Sequence, residues 1–236
     1  EILELDLAIG YATRDYQANL SVSRSEWKNN YNFQDFNAGS VQRLGVDPDN
    51  TFDQVKFDLA WRFAPKTRMY LYGGVGKATQ DDDYLASSVA SDTATLPKTS
   101  LDGEVDYTDI KLALNHKFAS NVIFNLSYKY ADRDNKTSID TYEFYSVDRT
   151  FCFDKFRGVP CNNQNEPISW SSKEVATDIT YRIDSQWTVS GGASFEEKER
   201  LARTATETEE QKYWAKARFR LSSMFNADVK YTYADR

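Results

Sequence analysis

Very little in this sequence suits a cofactor enzyme or a soluble core. In 236 residues histidine occurs once, at His116, methionine and cysteine twice each, and proline five times. No apolar run approaches the roughly 18–20 residues of a transmembrane helix. Charge of one sign is missing too: 29 Lys and Arg against 36 Asp and Glu leave −7, which excludes the basic face of a nucleic-acid binder. Aromatic residues, by contrast, are plentiful, with 15 Tyr, 14 Phe and 5 Trp. A chain so rich in aromatic side chains is not disordered as its main state.

Alternation organises the whole chain. Leu3, Leu5, Leu7, Ile9 and Tyr11 alternate with Glu4, Asp6, Ala8 and Gly10. Val55, Phe57, Leu59, Trp61 and Phe63 alternate with Lys56, Asp58, Ala60 and Arg62. The same period continues to Phe225, Ala227, Val229, Tyr231 and Tyr233 against Asn226, Asp228, Lys230 and Thr232. It predicts about ten strands of about 10–13 residues, the length of a tilted strand crossing a bilayer. Short turns fall near Arg14-Asp15, Pro65-Lys66, Ala119-Ser120, Asp184-Ser185 and Ser222-Ser223. Long loops fall near 28–51, 80–104, 132–171 and 200–208. Alternating short and long connections mark an outer-membrane barrel, with tight periplasmic turns and long external loops. The expected fold is therefore all-β, a transmembrane antiparallel up-and-down β-barrel crossing the outer membrane of a Gram-negative bacterium several times.

Polarity refines this. With short turns periplasmic, the first strand descends and the tenth ascends, so both ends lie outside. Single-chain bacterial barrels start and finish in the periplasm. Residues 1–236 are accordingly expected to be one segment, five hairpins of a larger barrel. Repetition agrees: NLSYKYADRD at 125–134 and DVKYTYADR at 228–236 close ascending strands alike, with tyrosines for an outer aromatic girdle.

The polar phase is the candidate functional surface. Asp58, Arg62, Arg68, Lys111, Asp178, Arg182, Lys216, Arg218 and Asp228 are expected to face the lumen and contact whatever fills it. Small residues among them, including Gly74, Gly76 and Gly192, would let a partner approach the wall. The bland alternative is a water-filled porin wall. Asp228 should sit near Lys216 or Arg218 across the last hairpin. His116 lies on the apolar phase near a short turn, the wrong end for a barrel protease, so no enzyme is expected. Asp81-Asp82-Asp83 and Asp47-Pro48-Asp49-Asn50 read as solvated loop charge rather than Ca²⁺ sites, and no metal site is expected. Cys152 and Cys161 share the longest loop. In an oxidising compartment they predict a disulfide, worth about 2.5–3 kcal/mol of loop entropy for so short a loop. It would stiffen a surface carrying Phe151, Phe153, Phe156 and Arg157, suited to an external partner.

One stretch is more specific. LPKTSLDGEVDYTDIKLALNHKF at 96–118 and YKYADRDNKT at 128–137 resemble the decahaem-associated outer-membrane proteins of the MtrB/PioB family. Ser138 departs from the resemblance, standing where many members have Pro. The resemblance implies a porin-like sheath. It would hold a periplasmic decahaem cytochrome inside the barrel, with an extracellular multihaem cytochrome on the external loops and lipid and lipopolysaccharide around it. Electrons would cross the outer membrane through haem c carried by that partner, none being bound by this chain. The absence of Cys-x-x-Cys-His fits such a sheath. A general or solute-selective diffusion porin is the alternative.

Overall fold

A computed structural model describes residues 1–30, 33–37, 41–45, 47–84, 96–144, 161–201, 206–222 and 225–236. Ten strands form one sheet: β1 (Ile2–Ala12), β2 (Tyr16–Trp27), β5 (Asn50–Ala64), β6 (Thr67–Gln80), β7 (Gly103–Ala119), β8 (Val122–Asn135), β11 (Trp170–Arg182), β12 (Trp187–Arg200), β13 (Glu207–Arg220) and β14 (Asn226–Asp235). Two short hairpins stand in the long connections, β3 (Phe33–Asn37) with β4 (Val41–Gly45) and β9 (Thr141–Phe144) with β10 (Cys161–Gln164). Every neighbouring pair in the large sheet is antiparallel and the order follows the chain, an up-and-down meander. Among the described residues β1 pairs only with β2 and β14 only with β13, so the sheet is an open wall.

The register contains the tilt of a barrel. A ladder row runs from Asn19 through Asp58, Tyr72, Lys111, Lys129, Glu174 and Glu196 to Glu210. Along it the distance to each strand's own tight turn grows from about four to about thirteen residues, about one residue per strand. At about 3.3 Å per residue and 4.8 Å between strands, that stagger inclines the strands by about 35°, the inclination that barrel closure requires.

Cross-strand partners share a face, so the register sorts every side chain. Leu7, Val22, Val55 and Val75 lie in one row, and Leu59, Leu71, Leu112 and Tyr128 in another on the same side. Among the described residues no apolar side chain is buried; Leu7 is 64% exposed and Val229 74%. A soluble sandwich would hide such a face against a second layer. Here it forms a continuous apolar belt far larger than a soluble surface tolerates, one that needs lipid against it. Toward the long loops the same face turns charged, with Asp106 between Lys77 and Asp134 and Glu197 between Lys173 and Glu209. The ten strands run from 10 to 17 residues, longer than alternation alone predicts, because their loop ends continue beyond the belt into this charged collar.

Labelling tests the sidedness. In a Cys152→Ser, Cys161→Ser background, single cysteines at Leu59, Leu112 and Val189 should resist a water-soluble maleimide in membranes, while cysteines at Asp58, Lys111 and Ser190 react. Equal reactivity of the two sets would refute the assignment of the belt.

Candidate functional site: the polar face of the wall

All nine charged residues expected on one side fall on one face, opposite the belt. On the lower part of the wall Arg68 pairs in register with Asn115, Asn115 with Asn125, Asn125 with Asp178, and Asp178 with Gly192. Asn115 Nδ2 donates to Asn125 Oδ1 at 2.6 Å and Asn125 Nδ2 to Asp178 Oδ2 at 2.9 Å, a relay crossing three strands. Beside it Thr180 and Ser190 hydroxyls meet at 3.0 Å. Asp228 lies opposite Arg218 and reaches Lys216 Nζ at 3.0 Å. Lys129 Nζ bonds Glu174 Oε2 at 2.9 Å. Such solvated pairs contribute little each, because water and salt screen them. Two cations without a carboxylate take aromatic partners: Lys111 Nζ lies 4.9 Å from the Tyr72 ring centre and Lys230 Nζ 5.2 Å from that of Trp214.

The small residues have a different use from the one expected. A Cβ on Gly74 would sit 2.8 Å from Tyr72 Oη, on Gly76 2.8 Å from Phe52 Cζ, and on Gly192 2.8 Å from Trp214 Nε1. The space over these glycines is filled by the chain's own rings, laid flat along the wall. A partner would therefore meet aromatic surface there, not bare backbone. The alternation identifies the glycines and the rings but not which ring covers which glycine, because that depends on strand register.

At the long-loop end the described segments are tied together. The two halves of the motif at 96–118 and 128–137 meet: Val105 pairs with Asn135, Glu104 N donates to Thr137 Oγ1 at 3.1 Å, and Lys136 N donates to Glu104 O at 2.8 Å. Ser100, Thr137 and Ser169 are nearly fully buried, unusual on so exposed a chain. Asp102 takes a left-handed φ of 47°, which Asp tolerates better than most residues, where the chain turns into β7. Lys98 Nζ bonds Ser138 Oγ at 2.9 Å and Asp140 Oδ2 at 3.2 Å, so Ser138 supplies a polar link that Pro could not. The Ser138 hydroxyl and then Lys98 hold the Asp140 carboxyl below its ordinary pKa. Tyr84 and Tyr142 hydroxyls meet at 2.6 Å, and burial together with that bond raises the Tyr84 pKa. Asp82 Oδ2 accepts from Asp49 N, and Asp49 Oδ1 from Asn29 N, both at 2.7 Å. These two carboxylates, from the acidic runs weighed as Ca²⁺ sites, thus brace the first loop against the second. Cys152 lies outside the described residues and Cys161 is described only as backbone in β10, so the disulfide is left as an expectation.

His116 is also structural. Its Nδ1 and Thr67 Oγ1 are 2.8 Å apart, and its ring packs edge-on against Phe118 with centres 4.5 Å apart.

Comparison with known proteins places this wall. The family model of the outer membrane beta-barrel porin MtrB/PioB matches residues 1–236. Outer membrane protein MtrB of Shewanella baltica is 25% identical over 97% of the chain, and the chain spans 34% of that relative's length. Two mutants of the ferric enterobactin receptor PfeA of Pseudomonas aeruginosa share the fold. One matches with a TM-score of 0.59 at 6% identity, over 99% of this chain and 37% of the receptor. The other matches with a TM-score of 0.55 at 9% identity, over 98% and 37%. The protein is thus a porin-like outer-membrane β-barrel protein, and its chain belongs to the MtrB/PioB family.

Proposed function

We propose that the polar face lines the lumen of a wide barrel that sheaths a multihaem c-type cytochrome entering from the periplasm, so that electrons cross the outer membrane along the partner's haems. The observation that carries this reading is the open ten-stranded wall in a chain spanning 34% of its relative. Eight strands closed on themselves leave room only for side chains or a small ligand, whereas the lumen widens in proportion to strand number. A wall continued to about three times this length encloses space for a folded protein.

The surface chemistry suits a protein occupant. Charges of both signs are hydrated, some paired in place and others not, and are interspersed with amides and hydroxyls, a wall that holds a partner through polar contacts. Tight turns then lie on the periplasmic side and the long loops outside, where their linked segments and the Cys152–Cys161 loop offer a landing surface for an extracellular multihaem cytochrome.

A visible spectrum of the full-length parent, purified from outer membranes in mild detergent, tests this. A c-type haem band co-eluting with the barrel is expected. A colourless protein that conducts ions in a planar bilayer would overturn the sheath and make it a diffusion porin.

A further inference from the structure

Four basic side chains occupy one repeated position of the backbone. At its tight-turn end each junction between successive hairpins closes with a bond beyond the last ladder pair. Arg62 N donates to Asp15 O at 2.6 Å, Lys117 N to Lys66 O at 2.9 Å, Arg182 N to Asn121 O at 2.8 Å and Arg220 N to Gln186 O at 2.8 Å. The sheet has four such junctions, and the position is Arg or Lys in all of them. Lys and Arg make up 29 of 236 residues, so composition alone does not produce four out of four. The residue just before is an aromatic ring each time, Trp61, His116, Tyr181 or Phe219, on the apolar face. Alternation then turns each following cation to the polar face.

These cations differ from those higher on the wall. Lys129 and Lys216 have carboxylates, and Lys111 and Lys230 lie over rings. Among the described residues none of the four junction cations has an ion pair or a side-chain hydrogen bond. Lys117, Arg182 and Arg220 are exposed and Arg62 is half-buried, with Arg68 beside it. Nearby, Asp184 is engaged in its own turn, where Oδ1 accepts from Gln186 N and Trp187 N at 2.7 Å.

Spacing selects the ligand. Equivalent positions two strands apart are about 10 Å apart across the sheet. No small anion could touch two of them, yet the spacing is close to the Debye length, so their fields merge into one positive band. We propose that Arg62, Lys117, Arg182 and Arg220 form a basic ring at the tight-turn mouth that receives a band of carboxylates on the protein seated in the barrel, fixing its depth. This rests on the sheath reading.

The test uses the full-length barrel and its co-purified cytochrome, scoring haem absorbance per barrel after washing at low salt and at about 0.5 M NaCl. The variant R62Q/K117Q/R182Q/R220Q should reach the outer membrane with its heat-modifiable mobility intact and retain about tenfold less haem than wild type. R62K/R182K/R220K, which keeps the charge, should match wild type, as should R24Q/K77Q/K173Q on the opposite face. Wild-type retention by the ring variant at both salts would overturn the ring while leaving the sheath standing. A colourless wild type would overturn the sheath itself. If the ring variant then lowered anion over cation permeability in a planar bilayer, the ring would be the selectivity mouth of an open porin instead. Should the multiple variant not fold, Arg182→Gln alone is scored the same way, with a smaller loss expected and no loss again refuting the ring.

Discussion

Leu112→Arg should cost the barrel about 2–4 kcal/mol, while Ala113→Arg, one residue along β7, should cost less than about 1 kcal/mol. Leu112 lies opposite Leu71 and Tyr128 on the apolar face, 39% exposed with no protein layer over it. A guanidinium there must sit in hydrocarbon or drag water into it. Ala113 lies opposite Tyr70 and Ser127 on the polar face, beside Lys111, where a guanidinium stays hydrated. Urea titration of the full-length barrel refolded into lipid vesicles measures both. Equal costs would show that the two faces do not meet lipid and water as assigned, and with them would fall the lumen and the ring. The comparison is informative because the substitutions share the strand, the introduced residue and the depth to within one residue.

The same alternation explains how much was legible beforehand. Period two is a backbone property, so Leu59 and Asp58 could be assigned to opposite faces without coordinates, and the nine charged residues share a face as their parity requires. That Asp228 lies near Lys216 or Arg218 was readable because a tight turn at Ser222-Ser223 fixes the register of the last hairpin, whereas the choice of Lys216 for the ion pair, with Arg218 directly opposite, was not. Across a long loop no turn fixes register, so the Asn115–Asn125–Asp178 relay, which spans β8 and β11, was out of reach. The junction ring was missed for another reason. Arg62, Lys117, Arg182 and Arg220 are separated by unequal stretches, and their equivalence lies in a hydrogen bond to the preceding turn, not in any spacing. A signal was present, an aromatic–basic dipeptide just before each of the last four tight turns, but only a known topology makes those dipeptides correspond. Likewise the motif halves at 96–118 and 128–137 were legible as one signature but not as two sides of one clasp, which they form because β7 and β8 pair from Val105–Asn135 to Ala119–Val122.

The glycines carry the second large effect. Gly192→Val should destabilise the barrel by about 1–3 kcal/mol, the range of overpacking, whereas Gly73→Val should be neutral or stabilising. A Cβ on Gly192 would lie 2.6 Å from Thr177 O and 2.9 Å from Asp178 Cβ, in addition to the Trp214 indole. The ring is a movable obstacle but the Thr177 carbonyl is not, because that strand is fixed in register on both sides. Adding Trp214→Ala to Gly192→Val should therefore fail to restore stability. A Cβ on Gly73 would meet no heavy atom within 4 Å beyond its chain neighbours, and the position is on the apolar face opposite Phe57 and Ile110, where a branched side chain adds lipid contact and suits a strand. The same urea titration reads all three variants. Rescue by Trp214→Ala would mean that the indole alone reserves the space at Gly192. Without rescue, the glycine is required by close packing of β11 on β12, directly beneath the Asp178 end of the polar relay. In that case Gly192→Val should also displace Asp178 from Asn125, so that a defect in the wall's packing reaches the surface that meets the partner.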